Sequence, residues 1–431
     1  MQTTTVCPGG NSRFHDLDAL RAFALLLGVF FHIAESYCPG RYSWAIVDSH
    51  ADRLFDMFQN SCHNFRMQLF FVIAGFFAHL LLEKRGAMSY ALNRSKRILL
   101  PLLLFWPILT TLINSIWFWG AKVGGRLSEA GYPESIHGMS PWQIGIGTWS
   151  HPETIVEHFS TLHLWFLYYL ILFYALTLII WVVARFFPSA FNKLSGFSDW
   201  GFKKLVNSRF NVFLFSLMIL GCMLLMKAWT VDTPNDSLIP KLGPTLLYGV
   251  CFSIGWFLHR HYDLMDRFTK YWPIKLALAT AIICTIFWMG DIIRYFGVGD
   301  KLPLIAWRVI YFTLYSNSMI MFIMGFMGLF RKCCSGKSAA WRYVADSSYW
   351  IYILHIPVVA ALDVVVATLD YPALLKYTVE CVIVFPILFF SYHFFVRSTV
   401  IGKLLNGRMY PFALPWRNKP IGIEAGNKQT A

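Results

Sequence analysis

Hydrophobic residues in this chain occur in long runs that recur along the whole sequence, separated by short polar connections. A helix needs about 20 mostly apolar residues to cross the hydrocarbon core of a bilayer. The predicted spans are 19–37, 66–83, 98–118, 163–184, 210–229, 243–260, 273–291, 304–330, 346–368 and 375–396. The pattern therefore predicts an all-α polytopic membrane protein with about ten transmembrane helices.

The polar connections alternate in charge. The basic ones contain Lys84, Arg85, Arg94, Lys96 and Arg97; Arg185, Lys193, Lys203, Lys204 and Arg209; Arg331, Lys332, Lys337 and Arg342; and, in the tail, Arg397, Lys403 and Arg408. The alternate connections are mixed or acidic, as in the one with Asp48, Asp52 and Asp56. Because basic loops remain in the cytoplasm, both termini are predicted to be cytoplasmic, which agrees with an even number of spans.

Three regions follow from this topology. Residues 1–18 are predicted as a cytoplasmic N-terminal segment, 19–396 as the membrane domain and 397–431 as a cytoplasmic tail. The longest outer connection, about 119–162, is rich in Gly, Pro, Trp and His. A connection of that length is usually functional or contains short helices of its own.

Composition supports a membrane protein and excludes a nucleic-acid-binding one. The 431 residues are 57% hydrophobic and only 14% charged, whereas a soluble domain has roughly 25% charged residues. The formal net charge of +14 would suit a polyanion. The cations lie in short connections between spans, however, where they set topology. We expect the lipid bilayer, and no nucleic acid, as a partner.

Cysteine spacing and motif searches give little support for metal or hydrolase chemistry. The sequence has no HExxH, CxxC or GxSxG pattern, so no metal site, metalloprotease or lipase is predicted. Cys38 and Cys62 both fall in one outer connection. An oxidising compartment would permit a disulfide between them, but spacing alone does not show that they are close.

The first span carries ionisable residues on one face. Arg21 and His32 are eleven residues apart, which is about three helical turns and roughly 16 Å. Asp18 and Glu35 lie on the same face, so that Glu35 can orient the His32 ring. Alternatively, Arg21 extends to the lipid–water interface and His32 hydrogen-bonds a neighbouring helix. Intramembrane ionisable groups are by default functional, which favours a catalytic His32.

The second span opens with HNFRMQLFFVIAGFF. His63 and Arg66 lie at its outer end, on the same side of the membrane as His32, and are either substrate-binding residues or interface anchors. The Ala74-Gly75 step allows another helix or a ligand to approach closely.

Later motifs add further candidates. In NRSKRILLP, Arg94 and Arg97 would suit a phosphate-bearing ligand, or they only set topology. HLWFLYY places His163 and Trp165 at the outer start of the fourth span. His355 lies in an apolar run, where a lone histidine is more often a helix–helix contact than a catalyst. No function is assigned to the remaining intramembrane histidines: His79, His259, His261 and His393.

Taken together, these motifs resemble those of the acyltransferase 3 family of integral membrane acyltransferases. The match comprises Arg21 and His32 separated by ten residues, the RMQLFFVIAGFF block, an R-x-x-R before a proline, HLWFL and SYWIYILHIP, in that order over nearly the whole chain. The second and fourth of these blocks look most like members that succinylate periplasmic glucans. Ala74 stands where many members have serine, so that hydroxyl is not essential here, or the site works differently.

The resemblance implies transfer of an acyl group from cytoplasmic acyl-CoA to a hydroxyl of a periplasmic glucan, in the bacterial inner membrane and without a metal. The donor would be succinyl-CoA or acetyl-CoA, with succinyl preferred. His32 would act as general base or as acyl-accepting nucleophile, which fits the chemistry of histidine near pH 7. The expected roles are catalytic for His32, Glu35 and Arg21, CoA-binding for Arg94, Arg97 and Arg21, and substrate-binding for His63, Arg66, His163 and Trp165.

Two alternatives use the same residues. A proton-coupled transporter or flippase could use the polar face of the first span as a substrate path. An O-acetyltransferase for another cell-envelope polysaccharide would share the site and differ in donor and acceptor. Release of free CoA from acyl-CoA in the presence of a glucan distinguishes an acyltransferase from a carrier.

Overall fold

The described residues of the computed structural model are 14–41, 43–150, 159–295 and 303–412, and within them the regular structure is helical, with no β-strand. The longer helices are α1 (His15–Ile33), α2 (Arg53–Arg94), α3 (Leu100–Val123), α4 (Trp165–Phe186), α5 (Pro188–Asn207), α6 (Asn211–Met223), α7 (Leu242–Arg260), α8 (Trp272–Tyr295), α9 (Leu304–Cys333), α10 (Ala339–Val366), α11 (Ala373–Ser391) and α12 (Val400–Asn406). Short helices occur at Pro141–Gly147 and Met265–Phe268. The all-α prediction is confirmed.

Among the described residues, eight segments are long and apolar enough to cross a membrane. One of them, Arg53–Val123, has 71 residues and contains both α2 and α3. A straight helix of that length would measure roughly 107 Å, several times the thickness of a bilayer core, so it cannot be one span. Gly86 interrupts it with φ 70° and ψ 172°, a conformation that favours glycine. Each predicted span therefore coincides with a helix.

Helix bounds differ from the predicted spans at several ends, including those of α2 and α6. Helix α2 begins at Arg53, well before residue 66, because the Asp52 side chain caps it by accepting from the Leu54 N–H. Helix α6 has only 13 residues and ends at Met223, short of residue 229. A search for apolar runs detects neither the polar first turns of α2 nor the early end of α6.

Helix α5 was not predicted, because its apolar residues are spaced by helical turns rather than consecutive. It begins with a proline in its first turn, at Pro188. Leu194, Phe197 and Trp200 are exposed along one side of it. These features are typical of an amphipathic helix lying on a membrane surface.

Helix α1 is the central element of the bundle. It packs against α2, α9 and α10, and α10 in turn packs against α3 and α11. Its polar face is therefore enclosed by other helices instead of facing lipid. Helix α12 packs against α10, so part of the predicted tail 397–431 is attached to the membrane domain. Residues 1–13 and 413–431 of the two predicted terminal segments lie outside the described residues.

The closest contact between two long helices joins α2 and α7. A Cβ atom on Gly75 would overlap the carbonyl oxygen of Phe252, and one on Gly255 would overlap that of Val72. Backbone touches backbone at both positions, which only glycine permits. The sequence-based expectation that Gly75 admits a close neighbour is confirmed, and the neighbour is α7.

Cys38 and Cys62 do not form a disulfide. Both are free thiols, and both are buried. The Cys38 thiol donates to the carbonyl oxygen of Ala34, 3.2 Å away, in the turn that follows α1. Burial raises the pKa of the Cys38 thiol and keeps it protonated.

We expect Gly75→Ala to destabilise the protein by about 1–3 kcal/mol, because the added methyl group forces α2 and α7 apart. The measurement is the midpoint of thermal unfolding of purified protein in detergent. Gly290→Ala is the matched control, since Gly290 lies in helix α8 with nothing within 4 Å of the added Cβ. Equal midpoints for the two variants would contradict the proposed backbone contact.

Candidate active site

One cavity of about 1060 Å³ extends through the described part of the helical bundle. Every site residue predicted from the sequence lines it: Arg21, His32, Glu35, His63, Arg66, Arg94, Arg97, His163 and Trp165. We call its two ends the basic mouth, lined by Arg21, Lys84, Arg85, Arg94, Arg97 and Arg408, and the aromatic mouth, lined by Trp44, Trp117 and Tyr132. Residues from distant parts of the sequence thus share a single chamber.

Backbone and ring contacts fix the cations of the basic mouth. Arg97 Nη2 donates to the carbonyl oxygen of Asn406 at 2.9 Å, in helix α12. The Arg94 guanidinium lies over the Tyr174 ring, 4.5 Å from its centroid. Neither contact neutralises a charge, so a strongly positive field remains at this mouth. Guanidinium groups held in this way suit a phosphate-bearing ligand.

Two carboxylates also lie at the basic mouth, and both are engaged. Arg21 Nη2 is 3.3 Å from Asp18 Oδ1, one turn earlier in α1. Arg408 Nη2 is 3.0 Å from Asp346 Oδ1. The Arg21 side chain is half-exposed, and it lies about three turns of helix away from His32. Arg21 and His32 therefore act at different levels of the cavity.

His32 lies in the middle of the cavity among aromatic rings. Its Nδ1 atom is buried, has no hydrogen-bond partner among the described residues, and lies 3.6 Å from Glu35 Oε1. The ring stacks on Trp44 with an interplanar angle of 17° and a centroid separation of 5.9 Å. The predicted pairing with Glu35 thus exists as a close approach, longer than a hydrogen bond. Stacking on Trp44 supplies much of the orientation.

Glu35 is shared between His32 and a second cation that the sequence did not reveal. Arg41 Nη1 lies 3.3 Å from Glu35 Oε2, and its other terminal nitrogen donates to the Gln59 side chain. Arg41 belongs to the connection after α1, where a single arginine resembles any loop cation. The fold shows that the connection after α1 lies against the cavity, where Arg41 is one of the lining residues.

A proline fixes the position of His163. Pro357 lies inside α10 and has no N–H, so the carbonyl oxygen of Ile353, four residues earlier, lacks its helical donor. His163 Nε2 occupies that oxygen at 3.1 Å. With Nε2 donating, the buried Nδ1 of His163 is left with a lone pair and no partner among the described residues. The HLWFL motif and the proline of SYWIYILHIP thus form one structural unit.

His355 lines the cavity beside two other imidazoles. Its ring lies 5.1 Å from that of His32 and 5.3 Å from that of His163, measured between centroids. Its Nδ1 hydrogen-bonds the carbonyl oxygen of Tyr352 at 2.7 Å, so Nδ1 carries the proton and Nε2 is an acceptor. Three imidazoles from α1, α4 and α10 therefore meet in the cavity. The sequence does not reveal this cluster, because the three histidines lie far apart along the chain.

Arg66 is a buried cation that forms no ion pair with the described residues. Its side chain is 7% exposed, and its Nη1 has no hydrogen-bond partner among the described residues. The guanidinium lies over the Phe31 ring at 4.2 Å and against Gly28 of α1, where a Cβ would come within 2.9 Å of Nη1. His63 stacks on the same Phe31 ring, with a centroid separation of 6.2 Å. A buried guanidinium that forms no ion pair with the described residues suits an anionic ligand.

A buried carboxylate holds Trp44 against His32. The indole N–H of Trp44 donates to Asp363 Oδ2 at 2.7 Å. Both residues are buried, Asp363 completely so. Trp44 lies in the connection after α1 and Asp363 in α10, so this bond ties a loop to a helix at the aromatic mouth. It also sets the plane on which the His32 ring rests.

More intramembrane charge surrounds this bond than the sequence analysis recognised. The Tyr37 hydroxyl donates to Glu380 Oε2 at 2.9 Å, and Lys376 Nζ lies 2.5 Å from Asp48 Oδ2. Lys376 and Glu380 fall inside a predicted span, as does Asp363. Ionisable residues inside membrane spans are by default functional candidates, and this applies to these three residues as it does to His32.

We expect Trp44→Phe to lower kcat by about 10- to 100-fold, because the phenyl ring can still stack on His32 but loses the bond to Asp363 that holds it. KM for the donor should change little, since Trp44 lies at the opposite mouth from the cations. Steady-state kinetics of the purified variant provides the check. Trp142→Phe, at an exposed tryptophan, is the control and should match wild type; a Trp44→Phe enzyme with unchanged kcat would refute the role.

Comparison with known proteins identifies the family of the chain. Residues 14–395 match the sequence profile of the acyltransferase 3 family, described as an acyltransferase domain. The chain belongs to that family. It is therefore an integral membrane acyltransferase, and the resemblance stated from its motifs is confirmed. The match covers the bundle from the start of α1 to the end of α11.

Similar proteins are named glucans biosynthesis protein C. Those of Escherichia coli strain SMS-3-5 / SECEC and strain K12 are each 26% identical over 355 residues, which is 80% of this chain and 82% of the relative. The one from Escherichia coli O81 (strain ED1a) is 25% identical over 354 residues, with the same coverage. No solved structure matches the chain.

Proposed function

We propose that this protein transfers an acyl group, preferably succinyl, from acyl-CoA at the cytoplasmic face of a bacterial inner membrane to a hydroxyl group of a periplasmic glucan. The observation that supports this is the position of the three histidines, midway in a cavity that has a cationic mouth at one end and an aromatic mouth at the other. By the positive-inside rule the basic mouth is cytoplasmic. The names of the relatives support a glucan acceptor.

The donor enters at the basic mouth. Arg94 and Arg97 bind the phosphates of CoA, and Arg21 lines the same mouth of the cavity. Between Arg21 and His32 lies a rise of roughly 16 Å along α1. An extended pantetheine arm covers a comparable distance, which brings the thioester to His32 while the nucleotide stays at the mouth.

The acceptor enters at the aromatic mouth. Trp44 and Trp117 pack edge to face with a centroid separation of 5.0 Å, and Tyr132 lines the same opening. Aromatic rings are good partners for the apolar faces of sugar rings, and the nearby Asn235 offers an amide to hydroxyl groups. A glucosyl hydroxyl can therefore approach His32 from the side opposite the donor.

In the reaction, His32 Nε2 removes the proton from the sugar hydroxyl. At the same time the hydroxyl oxygen attacks the carbonyl carbon of the thioester. The C–O bond forms and the C–S bond breaks. The CoA thiolate then takes the proton from the His32 imidazolium, so no net proton is produced. Glu35 stabilises that imidazolium from the Nδ1 side. In a covalent variant, Nε2 attacks the thioester first and the acyl-imidazole is the donor to the sugar.

We expect His32→Ala to reduce CoA release from succinyl-CoA in the presence of glucan by about 10²- to 10⁴-fold, the usual contribution of a positioned general base. CoA release from purified enzyme in detergent is measured with a thiol reagent. His50→Ala, at a half-exposed histidine that does not line the cavity, is the control. A His32→Ala enzyme of normal activity overturns both versions of the mechanism, and a carrier releases no CoA at all.

Arg66 supports succinyl over acetyl as the acyl group. Its guanidinium is buried beside His32 and lacks a carboxylate among the described residues. The distal carboxylate of a succinyl group would supply the missing counter-ion through a bidentate pair. An acetyl group has no such charge and would leave the cation unpaired.

We expect Arg66→Met to lower kcat/KM for succinyl-CoA by about 30-fold or more, the cost of losing a charge-assisted pair, and to lower it far less for acetyl-CoA. Arg66→Lys should fall between. Arg53→Met, which removes a half-exposed cation of the same helix, should affect neither donor. An equal loss with both donors would mean that Arg66 acts on the shared thioester and does not select the acyl group.

A further inference from the structure

Outside the cavity, three potential metal ligands meet at the basic ends of α2 and α7. His79 Nδ1 lies 2.7 Å from His259 Nδ1. Glu83 Oε2 lies 3.8 Å from His79 Nδ1 and 3.7 Å from His259 Nδ1. The three atoms form a compact triangle, and the reaction proposed above uses none of these residues.

The same glycine contact that joins α2 and α7 creates this triangle. Gly75 and Gly255 bring the two backbones together, and His79 and His259 follow one helical turn later in their respective helices. Because α2 and α7 run in the same direction where Gly75 and Gly255 meet, His79 and His259 also face each other. The arrangement therefore rests on backbone packing rather than on flexible surface side chains.

Aromatic neighbours hold both imidazole rings. His79 packs against the Trp256 ring at 4.6 Å, and His259 against the Phe76 ring at 4.9 Å, both edge to face. The two rings are mostly buried, whereas the Glu83 side chain is 63% exposed. One side of the triangle is thus rigid, and the other is open to solvent and gives an entering ion a path.

We propose that His79, His259 and Glu83 form a binding site for a divalent transition-metal ion, with Zn²⁺ as the preferred ion. Tetrahedral Zn²⁺ with ligands at about 2.0–2.1 Å places them roughly 3.3 Å from each other. The observed separations fall on either side of that value, so small ring rotations suffice. Two imidazoles and one carboxylate suit Zn²⁺ and leave a fourth position for water.

Nearby charges permit a cation here. Arg260 and His261, the residues that follow His259, both pair with Asp199 at 2.8 Å. Lys84, which follows Glu83, lines the cavity and lies close enough to His259 to oppose a positive charge there. Without a metal, the two imidazoles share a proton in an N–H···N hydrogen bond. When the ion binds, that proton moves to Nε2 of the same ring, so that both Nδ1 lone pairs face the metal.

A bound ion would clamp α2 to α7 directly beside Lys84 and Arg85 of the basic mouth. It would do so without touching the donor or the acceptor. The site is a structural link of the kind that stabilises the folded state in proportion to metal binding. Its existence does not depend on the proposed acyl donor or acceptor.

The test uses the full chain, purified in detergent and stripped with a chelator, then equilibrated with Zn²⁺ alone. We expect about one Zn²⁺ per chain by elemental analysis and a higher midpoint of thermal unfolding with Zn²⁺ than with chelator. His79→Gln and His259→Gln should each weaken Zn²⁺ binding at least about tenfold and remove the shift in midpoint. Glu83→Gln, at the exposed ligand, should weaken binding less.

His137→Gln is the matched control, because His137 lies in the loop before Pro141–Gly147, remote from the triangle in sequence, and bonds to the Tyr132 carbonyl. It should bind Zn²⁺ as wild type does. Absence of stoichiometric Zn²⁺ in the wild-type protein overturns the proposal, whether or not the variants fold. So does Zn²⁺ that stays bound with unchanged affinity in both histidine variants.

Discussion

The buried guanidinium of Arg66, which forms no ion pair with the described residues, is the constraint on which the rest of this structure depends. An arginine at the centre of a spanning helix costs about 2.5–3.5 kcal/mol on insertion scales. The Arg66 guanidinium lies over the Phe31 ring, packs against Gly28 and lines the cavity, and these contacts lower that cost. The helices around α1 enclose this cavity. In the proposed function, His32 acts in the same space.

Two devices assemble the cavity from distant parts of the sequence. Backbone contact at Gly75 and Gly255 fixes the position of α2 against α7. Helix α2 carries Arg66 and His63. The missing N–H of Pro357 leaves a carbonyl oxygen that captures His163 and ties α4 to α10. Both contacts determine where the polar side chains of the cavity meet.

The sequence predicts the membrane class, the spans and the nine candidate site residues that line the cavity, because each depends on local features. Apolar runs give the helices, and the turn of a single helix places Asp18, Arg21, His32 and Glu35 on one face. The partners of those residues were not predictable in the same way. Trp44 and Arg41 reach the site through a loop, and His355 reaches it from a helix more than 300 positions later. Such meetings depend on tertiary packing, which no periodicity encodes.

A cavity lined at both faces of a membrane has a consequence beyond catalysis, since it could let ions leak and dissipate the potential across the bilayer. The cationic mouth and Arg66, which forms no ion pair with the described residues, raise an electrostatic barrier against protons and metal cations along this path, as fixed positive charges do in selective pores. In the proposed reaction the same charges attract the anionic donor. The arginines would therefore keep the membrane sealed to small cations while the two proposed substrates meet from opposite sides.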